Sequence, residues 1–195
     1  MITEKEAIDI FVKCGALLNG HFKLTSGLHS PVYFEKFQVL QHPRYTTLFC
    51  DEIAEKFSDK QVDVVIGPAT GGIMLSYAVA RSLSNISGRE IRNIFTERHE
   101  GKMALRRGFK IQKREKVLIV EDVLTTGGSV REVIDAIKDF DPEIVGIGLL
   151  VDRSKDTIDF GIPKFALANI KAETYVSEKC PLCKKNIPIS KPGSR

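Results

Sequence analysis

The sequence has no long apolar run, few cysteines and no export signal. None of its apolar stretches approaches the ~20 residues that a membrane-spanning helix needs. The N-terminal residues MITEKEAIDIF lack a basic start followed by an apolar core, which excludes a typical secretory signal. Four cysteines without regular spacing are typical of a reducing compartment. We therefore expect a cytoplasmic protein with no membrane partner.

Two common phosphate-binding motifs are also missing. No Gly-Lys-Ser/Thr run occurs, which excludes a Walker A loop, and no G-x-G-x-x-G run occurs, which excludes the dinucleotide fingerprint. The net charge of +4 is too small to indicate nucleic acid as a partner. With 43% hydrophobic residues in 195 positions, the chain can build the core of one globular domain.

Short apolar segments alternate with stretches of helical periodicity. This alternation predicts an α/β fold with a central, mostly parallel sheet flanked by helices. In such sheets ligands bind at the carboxyl ends of the strands. The predicted strands are 62–67, 91–96, 117–121, 144–152 and 165–170, with a hairpin or short strands in 24–35, and the main helices are 43–58, 71–85 and 129–140. In the helix 71–85 we expect Ile73, Met74, Tyr77 and Ala80 to form the apolar face.

The run VLIVEDVLTTGGSV (117–130) joins a predicted strand to a predicted helix. Its hydroxyls and glycines at 125–129 would surround a helix N-terminus, which offers free N–H groups and a positive dipole end to a phosphate. Glu121 and Asp122 do not bind phosphate and need another partner, either the vicinal hydroxyls of a ribose or a Mg²⁺ ion. The alternative is a tight strand-to-helix turn with helix-capping acids, which the length of the pattern disfavours.

Residues 97–116 carry eight Lys or Arg against three Glu. This segment is either a solvated charged face or a mobile loop that binds polyphosphate. The tail from about 177 is polar and proline-containing, and we expect it to be loosely packed.

Cys180 and Cys183 form a C-x-x-C pair, which is half of a zinc site. Cys14 and Cys50 lack that spacing, and we find no histidine partner close to the pair. Three interpretations remain open: a structural metal shared across a dimer, a redox-labile dithiol, or two packed thiols. We favour the packed thiols.

The run 117–130 resembles the signature of the type I phosphoribosyltransferases for binding 5-phosphoribosyl 1-diphosphate (PRPP). Within that family, the segments 20–34, 39–45, 67–80 and 151–154 are similar to orotate phosphoribosyltransferases, so the resemblance covers nearly the whole chain. It implies a type I phosphoribosyltransferase fold with a small N-terminal hood (about 1–40), a PRPP-binding core (about 41–176) and the tail 177–195. It also implies a cytoplasmic homodimer with shared active sites.

The implied reaction transfers the 5-phosphoribosyl group from PRPP to orotate, with Mg²⁺, in pyrimidine biosynthesis. The products are orotidine 5′-monophosphate and pyrophosphate. The resemblance assigns Glu121 and Asp122 to the ribose hydroxyls, Thr125 and Arg153 to the base, and Tyr33 and Phe34 to packing on the base. The PRPP-binding set comprises Glu121, Asp122, Val123, Leu124, Thr125, Thr126, Gly127, Gly128 and Ser129, together with a pyrophosphate loop at Ala69, Thr70 and Gly71 that often holds a non-proline cis peptide. The metal ligands stay undetermined, with Mg²⁺ held mainly through PRPP.

The basic segment departs from the family pattern. Many members carry Arg-Lys, another Lys and a His-Gly pair here, and a Lys where this chain has Thr25. The resemblance therefore leaves open which of Arg98, His99, Lys102, Arg106 and Arg107 contacts pyrophosphate. Arg98 and Lys102 are our candidates for cations that meet the charge of the leaving pyrophosphate.

Two other functions fit the PRPP signature. A purine or uracil phosphoribosyltransferase would keep the phosphate loop and change the base, which would leave Arg153 without a carboxylate to bind. A PRPP-sensing regulator would keep the fold without catalysis, although such proteins usually add a DNA-binding domain for which this chain has no room.

Overall fold

The chain folds into a six-stranded sheet with helices on both faces, preceded by a two-stranded hairpin. The structure, a computed structural model, describes residues 2–24, 26–154, 157–171 and 173–192, so Thr25 lies outside the described residues. The elements are α1 (Glu4–Lys13), β1 (Leu17–Lys23), β2 (His29–Phe34), α2 (Lys36–Leu40), α3 (Pro43–Lys56), β3 (Val64–Pro68), α4 (Gly71–Ser87), β4 (Arg92–His99), β5 (Lys102–Leu105), β6 (Lys116–Leu124), α5 (Gly128–Ile137), β7 (Glu143–Asp152), β8 (Lys164–Asn169) and α6 (Pro181–Lys184).

The large sheet has the strand order β5-β4-β3-β6-β7-β8. Every neighbouring pair is parallel except β4 with β5, which is antiparallel. Strand β3 lies in the middle, where Ile66 pairs with Ile94 of β4 and with Ile119 of β6. The parallel strands β3, β6 and β7 therefore end at one edge, at Pro68, Leu124 and Asp152.

Alternating side chains of the strands enter two separate cores. Val65 of β3 and Leu118 of β6 face helices α3 and α4, where they join Phe49 and Leu75 in one buried cluster. Their neighbours in the strands face the other side, where Ile66 joins a second cluster with Val130, Val133 and Ile137 of α5. Because both faces are covered, the strands are apolar almost throughout, as the sequence predicted.

The hood consists of α1, β1 and β2. A capping box begins α1: the Glu6 amide donates to Thr3 Oγ1 at 3.2 Å, and the Thr3 amide donates to Glu6 Oε2 at 2.7 Å. Strands β1 and β2 form an antiparallel hairpin, with Leu18 opposite Tyr33. The hairpin predicted in 24–35 is thus present, but its first strand lies before that range.

Helix α4 presents a different face to the core from the one predicted. Leu75, Val79 and Leu83 are buried, whereas Met74 and Tyr77 are exposed, Tyr77 by 61%. The expected apolar face was wrong at these two positions because the buried stripe follows i, i+4, i+8 from Leu75 instead.

The basic segment and the tail are also more ordered than expected. The start of the basic segment, 97–105, belongs to the antiparallel pair β4–β5, a hairpin that the sequence analysis missed. In the tail, Cys180 is fully buried and Ser190 pairs with Phe22 of β1, so part of the tail is packed on the hood. None of the helices in the described ranges has the length and apolar character to cross a membrane.

Candidate active site

Two buried carboxylates lie near the end of β6. The residues Glu121 and Asp122 are only 5% and 3% exposed, and the Asp122 amide donates to Glu121 Oε1 at 2.9 Å. Burial, reinforced by the charge of Asp122, raises the pKa of Glu121 to about 8. Burial also raises the pKa of Asp122, against the opposing effect of Lys36. The free protein therefore holds two acids in a place that disfavours their charged forms.

Lys36 is the cation that faces this pair. Its Nζ lies 2.8 Å from Asp122 Oδ2, and its side chain is one-third exposed. Lys36 is the first residue of α2 and follows β2 after a single residue, Glu35, whose side chain caps the helix. Lys36 was not among the site residues predicted from the sequence, which ended at the aromatic residues before it. The sequence feature that could have indicated this contact is a lysine two residues after a strand with predicted base-site residues.

The junction between β3 and α4 approaches the acid pair through glycines at the end of the strand and the start of the helix. A Cβ atom on Gly71 would overlap Asp122 Oδ2, so only glycine leaves room for the carboxylate. Gly67 and Gly72 pack backbone against backbone, since a Cβ on Gly67 would lie 2.6 Å from the Gly72 oxygen. The peptide bond between Ala69 and Thr70 is cis, which confirms the expectation for this loop.

The loop after β6 leads into the N-terminus of α5. Gly127 is the N-cap of the helix and has φ +78, a conformation that favours glycine. The first N–H groups of α5 have no acceptor within the helix and point toward the loop. A small cavity of about 40 Å³ lies here. Its lining consists of Glu121, Val123, Leu124, Thr125, Thr126, Gly127, Gly128, Ser129 and Val130.

A larger cavity of about 330 Å³ opens beside it. Strand ends, the hood and the basic hairpin all contribute to its wall. The lining residues are Tyr33, Phe34, Glu35, Lys36, Pro68, Ala69, Arg98, Met103, Glu121, Asp122, Val123, Thr125 and Ser129. The structure thus brings together the acid pair, the predicted phosphate loop, both predicted aromatic residues, Ala69 and Arg98. Thr70, Gly71, Lys102 and Arg153 lie outside the described lining of both cavities.

Arg153 lies behind the aromatic wall of the cavity. Its Nη2 donates to the Val32 carbonyl of β2 at 3.1 Å, and burial lowers the pKa of its guanidinium. Its Nε is buried and has no hydrogen-bond partner among the described residues. Burial, followed by the charge of Glu35, raises the pKa of Tyr33, the residue next to Val32. Arg153 therefore retains a free donor next to the predicted base site.

The cations of the basic hairpin are mostly held by acids. Arg98 Nη2 lies 2.7 Å from Glu132 of α5. Arg106 and Arg107 both pair with Glu97, at 3.3 and 2.9 Å. Lys102 and His99 are exposed next to the turn between β4 and β5. Of the two predicted catalytic cations, the structure places Arg98 at the cavity and Lys102 on the hairpin beyond it.

Comparisons with known proteins show the family of the chain. The family described as phosphoribosyl transferase domain matches residues 38–174. An orotate phosphoribosyltransferase of Desulforamulus reducens is 54% identical over 100% of this chain and 98% of its own length. The crystal structure of orotate phosphoribosyltransferase from Francisella tularensis shares 27% identity and a TM-score of 0.63, covering 83% of this chain and 84% of that one. A Mycobacterium tuberculosis orotate phosphoribosyltransferase in complex with PRPP has a TM-score of 0.63 at 20% identity, covering 87% and 92%. From its sequence and its fold, this chain belongs to the orotate phosphoribosyltransferase family.

Proposed function

We propose that this chain transfers the 5-phosphoribosyl group from PRPP to orotate, giving orotidine 5′-monophosphate and pyrophosphate in pyrimidine biosynthesis. The observation that carries the proposal is the buried acid pair next to a glycine- and hydroxyl-rich loop at a helix N-terminus. Such a pair with such a loop fits a sugar that carries a phosphate at one end. The choice of orotate as the base comes from the family, because its named members are orotate phosphoribosyltransferases.

The 5′-phosphate binds the loop 125–129 and the N-terminus of α5. Thr125, Thr126 and Ser129 supply hydroxyl donors, and the helix supplies free N–H groups and its positive dipole end. The backbone of the loop comes close to the phosphate because Gly127 and Gly128 carry no side chains. We expect no side-chain cation to be needed at this end of the substrate.

The ribose hydroxyls bind Glu121 and Asp122. Hydroxyl groups donate hydrogen bonds to carboxylates, so they stabilise the charged forms that burial disfavours in the free protein. PRPP binding should therefore lower the pKa of both acids. Lys36 keeps Asp122 paired until the substrate arrives.

The base binds between the hood and the end of β7. Tyr33 and Phe34 form the apolar wall, and Thr125 lies at the cavity floor. Arg153 supplies a planar donor group for the orotate carboxylate, once its side chain turns from the Val32 carbonyl toward the cavity. The free donor on its Nε supports this role.

Pyrophosphate departs past Ala69, Thr70 and Gly71 toward the basic hairpin. In the reaction the bond between the ribose C1 and the pyrophosphate oxygen breaks, the bond to the base nitrogen forms, and negative charge grows on the leaving group. Arg98 at the cavity and Lys102 on the hairpin meet that charge, and closure of the hairpin excludes water from an oxocarbenium-like state. The exchange of Glu132 for pyrophosphate as the partner of Arg98 would accompany closure.

The metal of the reaction is Mg²⁺ in our proposal, held mainly by the oxygens of PRPP. The donor set fits this ion, because Glu121 and Asp122 offer hard carboxylate oxygens beside the phosphate site. When bound, Mg²⁺ neutralises charge on the pyrophosphate group. The residues of this chain orient the substrate around it.

The active unit is a cytoplasmic homodimer with shared active sites, in which the exposed turn of one chain's hairpin, with Lys102, serves the site of the other chain, whereas Arg98 serves the site of its own chain. The exposed Met74 and Tyr77 on α4 and the exposed Phe37 on α2, a helix that contacts α4, support such an interface. Light scattering should give twice the 21.7 kDa of one chain. The variant Tyr77→Glu should give the single-chain mass and lose activity. The division into a hood (1–40), a core (41–176) and a tail (177–195) stays part of the proposal.

The experiment that tests the function follows the loss of free base by ultraviolet absorbance, with PRPP and Mg²⁺. Orotate, uracil, hypoxanthine and adenine are assayed side by side, and the variant Arg153→Lys is assayed with each. Consumption of orotate alone is the expected result. Turnover of another base would retain the PRPP site and refute our assignment of the base site. PRPP binding without turnover of any base would favour the regulator.

A further inference from the structure

Four potential metal ligands from distant parts of the sequence lie close together where the tail packs against β1 and β2. His21 belongs to β1, His29 begins β2, and Cys180 and Cys183 flank the first turn of the tail helix α6. One ligand atom from each residue lies within 4.8 Å of all the others. The expectation that no histidine lies close to the cysteine pair was therefore wrong, because the hairpin returns to the tail in three dimensions.

Four of the six distances between the ligand atoms are close to the edges of a coordination tetrahedron, and all six are within 4.8 Å. The sulfur of Cys180 is 3.6 Å from His21 Nε2, and that of Cys183 is 3.7 Å from the same nitrogen. The Cys183 sulfur is 3.2 Å from His29 Nδ1, and the two ring nitrogens are 2.9 Å apart. Zinc bonds of about 2.3 Å to sulfur and about 2.0 Å to nitrogen give edges of about 3.6 Å between S and N and about 3.3 Å between two nitrogens. The observed distances lie within a few tenths of an ångström of these values.

The orientation of His21 is fixed for metal binding. Its Nδ1 donates to the carbonyl of Ile187 at 2.8 Å, which places the proton on Nδ1 and leaves the lone pair of Nε2 facing the cysteines. Metal-binding histidines in proteins typically have such a carbonyl partner on the other ring nitrogen. His21, His29 and Cys180 are buried and Cys183 is half-buried, so the site is closed to solvent on most sides.

We propose that His21, His29, Cys180 and Cys183 bind one Zn²⁺ ion within a single chain. Two thiolates and two imidazoles in a closed, four-coordinate arrangement are the ligands of a structural zinc site. A metal-free cluster, with His29 donating to His21, accounts for the contact between the rings. It does not account for two sulfurs placed against His21 Nε2, one of which also contacts His29 Nδ1.

The ion attaches the tail to both strands of the hood. Around it, the Ser190 amide donates to the His21 carbonyl and the Lys23 amide donates to the Ser190 carbonyl. On the other strand, His29 and Tyr175 exchange both backbone hydrogen bonds. Apart from Cys180, the described tail residues from 177 onward have little buried apolar surface, so the metal supplies the stability that packing does not. None of the four ligands lines the cavities of the active site, which makes the role structural.

The test begins with the metal content of protein that carries no histidine tag. Elemental analysis after dialysis against metal-free buffer should give about one zinc per chain. The variants Cys183→Ser and His29→Gln should retain at most about one-tenth of that content. The matched controls Cys14→Ser, another half-buried free cysteine, and His42→Gln, an exposed histidine, should retain all of it.

Two measurements on the unmodified chain cover the case in which the variants fail to fold. X-ray absorption should show two sulfur and two nitrogen neighbours of zinc, at about 2.3 and 2.0 Å. Chelation in Mg-free buffer should make the tail susceptible to trypsin at Lys184 and Lys185, and added zinc should restore protection. The proposal is overturned by metal-free protein that takes up no zinc on titration, by iron with sulfide in place of zinc, or by site variants that retain zinc like the controls. It is independent of the proposed reaction.

Discussion

The buried acid pair should make the free protein less stable as pH rises, and Glu121→Gln should remove most of that loss. The pKa of Glu121 is raised to about 8 in the folded chain from 4.5. Between these values the folded state binds more protons than the unfolded state, so the free energy of unfolding falls as the pH increases. Glutamine has nearly the shape of the protonated acid and does not ionise. The variant and the wild type should therefore match at low pH and diverge at high pH.

The size of the divergence follows from the shift. Linkage for a single acid with these two pKa values gives a ceiling of roughly 3 kcal/mol between pH 5.5 and pH 8.5. We expect about 2 kcal/mol, because water and dipoles near the ionised pair rearrange around it. For a chain of this size that corresponds to a difference in melting temperature between variant and wild type that is about 4–8 °C larger at pH 8.5 than at pH 5.5.

The assay is thermal and urea denaturation of both proteins across this pH range, without PRPP or Mg²⁺. Glu143→Gln, an exposed glutamate at the start of β7, is the matched control and should follow the wild type. The activity of Glu121→Gln should fall by at least about tenfold, since the ribose loses a charged acceptor. Parallel profiles of unfolding free energy against pH for wild type and Glu121→Gln would refute the reasoning, because they would show that ionisation of Glu121 does not destabilise the folded protein.

Four further predictions concern single side chains. Lys36→Met leaves the buried Asp122 carboxylate without its cation. Because the lysine is one-third exposed, we expect the free energy of unfolding to fall by roughly 1–3 kcal/mol at pH 8 in urea titrations. An unchanged midpoint of the urea titration would contradict this. Lys102→Ala should lower turnover tenfold or more in the ultraviolet assay, with near-normal turnover ruling out a catalytic role for this lysine. Gly71→Ala should lower kcat/KM by at least about tenfold, because the new methyl group displaces Asp122 Oδ2, and normal kinetics would show that the loop adapts. Arg153→Lys should raise KM for orotate about tenfold and leave KM for PRPP within about twofold, since lysine cannot pair bidentately; equal changes in both constants would refute a base-specific role.

The sheet could be predicted from the sequence because both of its faces are buried. Strand β3 and residues 117–120 of β6 are then continuously apolar, and the strands alternate with helices along the chain. The turn from β6 into α5 at 125–129 could be predicted for a local reason: strand, hydroxyls, glycines and helix follow one another directly. Features of this kind depend on neighbours in sequence, so the sequence displays them.

The parts that could not be predicted depend on contacts between distant segments. Lys36 reaches Asp122 across 86 positions, and only the packing of the hood on the sheet brings them together. His21 lies more than 150 positions from Cys180, and the hairpin of β1 and β2 places it beside the cysteine. In α4 the apolar residues extend around the helix, so periodicity did not decide whether Tyr77 faces the core or the surface.

The acid pair shows why the long-range contacts of the candidate site were the most difficult part to predict from the sequence. A fold selected for stability alone would not place Glu121 and Asp122 side by side in a buried strand, because burial disfavours the charged form of both acids and the charge of Asp122 adds to that cost for Glu121. The structure limits that cost with Lys36 and with the space that Gly71 leaves. Neither residue stands out in the sequence, because a lysine at a helix start and a glycine in a loop are common. In the proposed reaction, a substrate whose hydroxyls complete the site would explain their placement, because its binding would relieve the unfavourable electrostatics of the free protein.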